Sequence, residues 1–158
     1  MKGKQGGFTF IELIVVIVIL GILAATAIPR YIALQQQARV AKLNGALGAV
    51  RGAMALTHGA CLATSTCGSA AFNLSAEGQN ITMINQYPTA DAAGILLAAG
   101  IIDSDTEGYD TSGGGAAAGD TLTIMVMGND PANCSFTYQA PAAANTAPVI
   151  GAPVTSGC

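Results

Sequence analysis

Tryptophan is absent from this chain, aromatic residues make up 5% of it, and histidine occurs once, at His58. With so little aromatic bulk, the core is expected to be built largely from small residues. One histidine and scattered acids do not assemble a nucleophile, a base and an orienting group, so no enzyme is expected. The four cysteines form no paired short motifs, which with a lone histidine argues against a zinc centre, and no loop has the calcium-binding EF-hand pattern. Neither a metal nor a cofactor is expected. Basic residues stop at Arg51, whereas eight acids lie beyond it, from Glu77 to Asp130. An acidic distal part on a basic stalk disfavours nucleic-acid binding through the exposed surface, and no sequence-specific nucleic-acid partner is expected. Stacked-aromatic electron transport has little to run on, because Phe72 is the next aromatic after Tyr31.

What the chain does have is one long apolar run. Phe8 to Pro29 reads FTFIELIVVIVILGILAATAIP, with a single carboxylate, Glu12. Its first 21 residues, to Ile28, would as a helix rising about 1.5 Å per residue span roughly 30 Å, the thickness of a bilayer's hydrocarbon core. An ionisable side chain in such a segment costs several kcal/mol unless paired, which makes Glu12 a functional candidate. Met1 to Gly7 (MKGKQGG) carries Lys2 and Lys4, and flanking positive charge is retained on the cytoplasmic side. An ordinary secretory signal places its small-residue cleavage site after the apolar region. Here Gly6 and Gly7 precede it, so a cut after Gly7 would remove the charges and keep the hydrophobic segment.

Gly7-Phe8-Thr9-Phe10-Ile11-Glu12-Leu13, followed by the apolar run and Pro29, resembles the N-terminal signature of type IV prepilins and related pseudopilins over about the first 50 residues. The resemblance implies cleavage by a prepilin peptidase between Gly7 and Phe8 and methylation of the new amine of Phe8. It implies a subunit that sits in the bacterial inner membrane as a precursor, then enters a helical homopolymer through the assembly machinery there and ends in an extracellular pilus. Glu12 would offset the N-terminal ammonium of a neighbouring subunit, with Phe8 as its partner in assembly. Gly21 and Pro29 would bound a segment that loosens as subunits pack. The stretch IVILGILAATAIPRYIALQQQARVAKLNGALGAVRGAMAL further resembles the mannose-sensitive haemagglutinin class.

From Arg30 to His58 the chain is alanine-rich and free of proline, and Val40, Leu43, Leu47, Val50 and Met54 form one helical face. Gly45, Gly48 and Gly52 weaken such a helix by up to ~1 kcal/mol each and would be tolerable if they let another element approach. The expected organisation is a leader, 1–7; a hydrophobic assembly and transmembrane helix, 8–29; an amphipathic helix, 30–58; and a globular head, 59–158. The fold class is α+β, a long N-terminal helix packed on a small antiparallel sheet. Within the head, 61–78 reads as a surface loop and 80–85 as a short strand. A short helix capped by Thr89 is expected in 88–100, and a flexible acidic loop in 103–119. A hairpin of strands 121–127 and 134–139 follows, and then an extended tail with an edge strand near Val149 and Ile150.

Four cysteines in an exported chain point to disulfides, and three pairings are open. Cys61 with Cys67, closing a small loop at the end of the helix, and Cys134 with Cys158, tying the tail to a strand, are favoured. The latter resembles the C-terminal disulfide-bounded region of type IV pilins. The function this implies is a structural pilus subunit serving adhesion, motility or DNA uptake. The alternatives are a pseudopilin of a type II secretion system and, in another class, a monomeric membrane-anchored binding domain.

Overall fold

The computed structural model describes residues 8–64, 67–68, 70–103 and 107–158. The leader, with Gly7, and Asp105 lie outside the described residues. The chain divides into two units, 1–37 and 38–158, with one helix, α1 (Phe10–Thr64), contributing to both.

In the first unit every described residue is exposed, including Phe8 at 83% and Ile22 at 66%. Aliphatic residues hold the helix without tertiary support because its backbone amides bond back within the segment, an arrangement that also satisfies a backbone in lipid. Pro29 sits inside α1 and has no N–H to give the carbonyl four residues before it.

In the second unit α1 buries one stripe, Leu43, Ala46, Leu47, Val50, Ala53, Thr57 and Cys61. The helix runs six residues beyond the expected end at His58. Thr57 and Cys61 continue the buried face, and the hydroxyl of Thr57 donates to Ala53 O at 2.7 Å, so a polar side chain is buried without losing its partner. No described element of this chain packs on Gly45, Gly48 or Gly52: nothing lies within 4 Å of where their Cβ atoms would be.

The head has two antiparallel sheets. In the first, β1 (Phe72–Ala76) pairs with β2 (Gln79–Ile84) and β2 with β3 (Tyr87–Pro88). In the second, the order is β4 (Tyr109–Gly113), β5 (Thr121–Val126), β6 (Ser135–Gln139) and β7 (Val149–Ile150). β1 lies in the stretch read as a loop. Its Ser and Asn face outward while Phe72, Leu74 and Ala76 alternate inward, with Leu74 opposite Ile81. The turn after it, Glu77-Gly78, has positive φ at both residues, the geometry that a two-residue hairpin requires. β4 likewise replaces part of the expected acidic loop, because Tyr109 and Thr111 point one way and Asp110 and Ser112 the other. The short helix is a π-helical turn, Ala92–Leu96, running into a single α turn, α2 (Leu97–Ala99). Its cap is Asp91 and not Thr89: Asp91 Oδ1 accepts from Gly94 N at 2.7 Å and from Thr89 Oγ1 at 2.8 Å. A carboxylate satisfies two donors at this end, so the hydroxyl supports the cap and does not form it.

The main core joins the α1 stripe to Ile95, Leu96, Ile101, Leu122, Ile124, Val126, Phe136 and Tyr138. A smaller one gathers Cys61, Leu74, Ile81 and Met83. Alanines at positions 46, 53, 90 and 140 fill the first between the larger side chains. Tyr138 is fully buried and donates to Pro88 O at 2.8 Å, joining the two sheets. Burial, and secondarily the nearby Tyr87, push its phenol far above the usual tyrosine range. Its folded pKa is raised, so the stability it contributes is present below about pH 10, the unfolded value, and falls as pH rises beyond it. Burial and then the charge of Glu107 raise Tyr109 in the same direction. Alkaline titration of the detergent-solubilised chain should therefore lower its melting temperature progressively above about pH 10. Tyr138→Phe should blunt that loss and cost about 1–2 kcal/mol at neutral pH by leaving the Pro88 carbonyl unpaired.

Candidate functional site

The site begins at the first turn of α1. Thr9 precedes the helix, and its N–H and hydroxyl both donate to Glu12 Oε2, at 2.9 and 2.7 Å, while Glu12 N donates back to Thr9 Oγ1 at 3.3 Å. This is a reciprocal capping box, which satisfies helix-end donors that otherwise lack partners. These bonds use one carboxylate oxygen and leave Oε1 with its acceptor capacity. Phe8, Ile11, Glu12, Val15 and Val16 line an open groove along one face, so the carboxylate stands in an otherwise aliphatic strip. Thr9 is not among the residues singled out from sequence. Its signal was nevertheless present, since Thr-x-x-Glu ahead of an apolar run is a capping signature.

The helix is long and apolar enough to cross a membrane. Gly21 has open space around it, and Thr26 Oγ1 donates to Leu23 O at 3.0 Å a short distance before Pro29. The structure thus brings Phe8 and Glu12 together in one groove and places Gly21 and Pro29 farther along the same helix. Gly7 lies outside the described residues.

The cysteines belong to the second unit. Cys61 is bonded to Cys67, with Cα atoms 5.2 Å apart, and Cys134 to Cys158, with Cα atoms 4.8 Å apart. The second bond fixes the tail, which is also held by Gly157 N donating to Asn133 O at 2.9 Å and by Ser135 and Val154 pairing through their backbones. Arg39 Nε donates to Cys158 O, and its side chain packs against Gly128, where a Cβ would meet it at 2.6 Å. Lys42 reaches Glu107 O and lies 4.1 Å over the Tyr109 ring. Two of the four Lys and Arg side chains beyond residue 7 are therefore taken up in holding the head on α1. Among the described residues no group of three or more His, Cys, Asp and Glu side chains gathers as a metal would require.

Residues 2–28 match the family model for the prokaryotic N-terminal methylation motif. The chain is similar to the type IV narrow pilus major component PilA5 of Thermus thermophilus, 45% identical over 67 residues, or 42% of this chain and 56% of that protein. It is 54% identical over 48 residues to the type IV major fimbrial protein FimA of Dichelobacter nodosus, 28% of this chain and 31% of that one. To the type II secretion system core protein G of Pseudomonas aeruginosa it is 45% identical over 53 residues, 34% of this chain and 37% of that one. The chain thus spans little more than half the length of the first of these relatives and about a third of the other two. These matches lend no support to the finer resemblance to the mannose-sensitive haemagglutinin class. No solved structure matches the chain.

Proposed function

We propose that this chain, whose N-terminal segment is that of the type IV pilins, is a structural subunit of a type IV pilus. The observation that carries the reading is the apolar, membrane-length start of α1 with one carboxylate, Glu12, in its first turn, inside the segment that matches the methylation motif. A prepilin peptidase cuts between Gly7 and Phe8, and the amine of Phe8 is methylated. The subunit waits in the inner membrane with its helix in lipid. On assembly the aliphatic face of one helix exchanges lipid for neighbouring helices, and the ammonium of an incoming Phe8 reaches the free oxygen of Glu12. In that apolar setting an unpaired charge is costly and a charge-assisted hydrogen bond is strong, so the pair favours correctly staggered neighbours. The stretch from Gly21 to Pro29, which lacks one backbone donor, loosens as helices pack. The filament is extracellular and presents the disulfide-closed head; its role is mechanical and not catalytic.

A second reading is favoured by the match to the secretion core protein G: a pseudopilin that forms a short periplasmic piston with the same leader and Glu12. Electron microscopy of filaments sheared from cells, with mass spectrometry of the N-terminus of the protein they contain, separates the two. Long surface fibres made of this chain and beginning at methylated Phe8 are expected. A processed chain confined to the inner membrane would give the second reading the lead, and an uncut leader would favour an anchored monomer.

A further inference from the structure

We propose that the exposed face of α1 around Arg51 is an interface between copies of this chain, on which the Glu77 hairpin tip of a neighbouring copy seats. The proposal rests on the reading of the chain as a polymerising subunit and names how its second unit takes part. Opposite the buried stripe, Arg51, Leu56 and Leu62 share with Gly48, Gly52 and Gly59 an arc of about 140° at 100° per residue. Leu56 and Leu62 are 75% and 57% exposed. The three glycines leave open space in which a partner's backbone can come close to the helix.

Charge identifies the occupant. Arg39 and Lys42 are held by backbone carbonyls of the head. Asp91, Asp103, Asp110, Asp120 and Asp130 each accept a hydrogen bond from within the head, and Glu107 is also engaged. Of the described charged side chains in this unit, Arg51 and Glu77 alone have no hydrogen-bond or ionic partner. One stands on a partly apolar helix face and the other at the tip of a two-residue turn. Within this unit each copy thus carries, among its described charged side chains, one unmatched cation on α1 and one unmatched anion at the β1–β2 turn. Made in one direction between successive copies, the Arg51-to-Glu77 contact is heterologous, the kind that propagates into an open helical filament, whereas the reciprocal pairing would close a dimer. Electrostatic complementarity of this sort selects the register of neighbours more than it adds bulk affinity.

The experiment uses the full chain in cells that assemble it, with Arg51→Glu, Glu77→Arg and the double exchange, scored by sheared-filament yield. Both residues are exposed, and retention of the two disulfides in each variant verifies the fold. Each single reversal is expected to lower the yield about tenfold, and the double exchange to restore it to within about twofold, the signature of direct coupling. Single reversals that assemble normally, while Glu12→Ala abolishes filaments, would overturn the interface and leave the subunit reading intact. Loss in Arg51→Glu without rescue in the double exchange would assign the face to a different acidic partner and overturn the proposal. Absence of the unaltered chain from any filament would overturn both readings.

Discussion

Cells carrying Glu12→Ala are expected to make and fold the protein and cut its leader, yet to yield at least about a hundredfold fewer filaments. Two losses coincide in that variant. The capping box disappears, which costs the helix start about 1 kcal/mol. The carboxylate also disappears from the aliphatic groove formed with Phe8, so an incoming ammonium would be buried without a counter-charge, a penalty of about 3–5 kcal/mol when one partner of a buried pair is removed. Glu12→Gln separates the two, because glutamine still closes a capping box but carries no charge. Sheared-filament yield is the measurement. If Glu12→Gln assembled like the unaltered chain, Glu12 would be a helix cap and the charge pairing would be wrong. A near-complete loss in both variants assigns the effect to the charge.

Removal of the disulfide that closes the tail is the second large effect. The Cys134→Ser, Cys158→Ser pair opens a loop with a sequence separation of 24. Chain-entropy arithmetic gives such a closure about 3 kcal/mol, and for a domain of this size that lowers the melting temperature by roughly 10 °C. The tail does more than cross-link. Cys158 O accepts from Arg39 on α1, and the Ser135–Val154 pairing continues the second sheet, so freeing the tail also removes contacts between head and helix. Calorimetry of the detergent-solubilised chain with and without the pair measures the loss. A shift under about 3 °C would mean that the backbone pairing of the tail, and not the covalent bond, holds it.

The helix of the first unit was legible in the amino-acid order. A helix satisfies its own backbone, so hydropathy and length identify, without any tertiary partner, one long and apolar enough to cross a membrane. The buried stripe of α1 was legible for the same reason, since a 3.6-residue period written in Leu, Val and Met survives local noise. The end of that helix was not. Gly59 and Ala60 look like a stop, but Cys61 is drawn into the smaller core with Leu74, Ile81 and Met83 and carries the helix on to Thr64.

In the head the balance reversed. Strands β5 and β6 announce themselves by β-branched and aromatic residues around a Gly-Asn-Asp-Pro turn. Strands β1 and β4 are written in Asn, Ser, Asp and Gly, residues with weak strand preference, and exist because a paired neighbour supplies their hydrogen bonds and a buried face takes Leu74 and half-buries Tyr109. The pairing of Tyr138 with Pro88 joins residues brought together only by that sheet arrangement. Sequence by itself determined the membrane-length helix, its carboxylate and the face it buries, because those depend on local period and solvent preference. Tertiary structure alone decided where the helix ends, which polar segments become strands, and which described charged side chains of the second unit are left unmatched, because each of those depends on what the rest of the head offers as a partner.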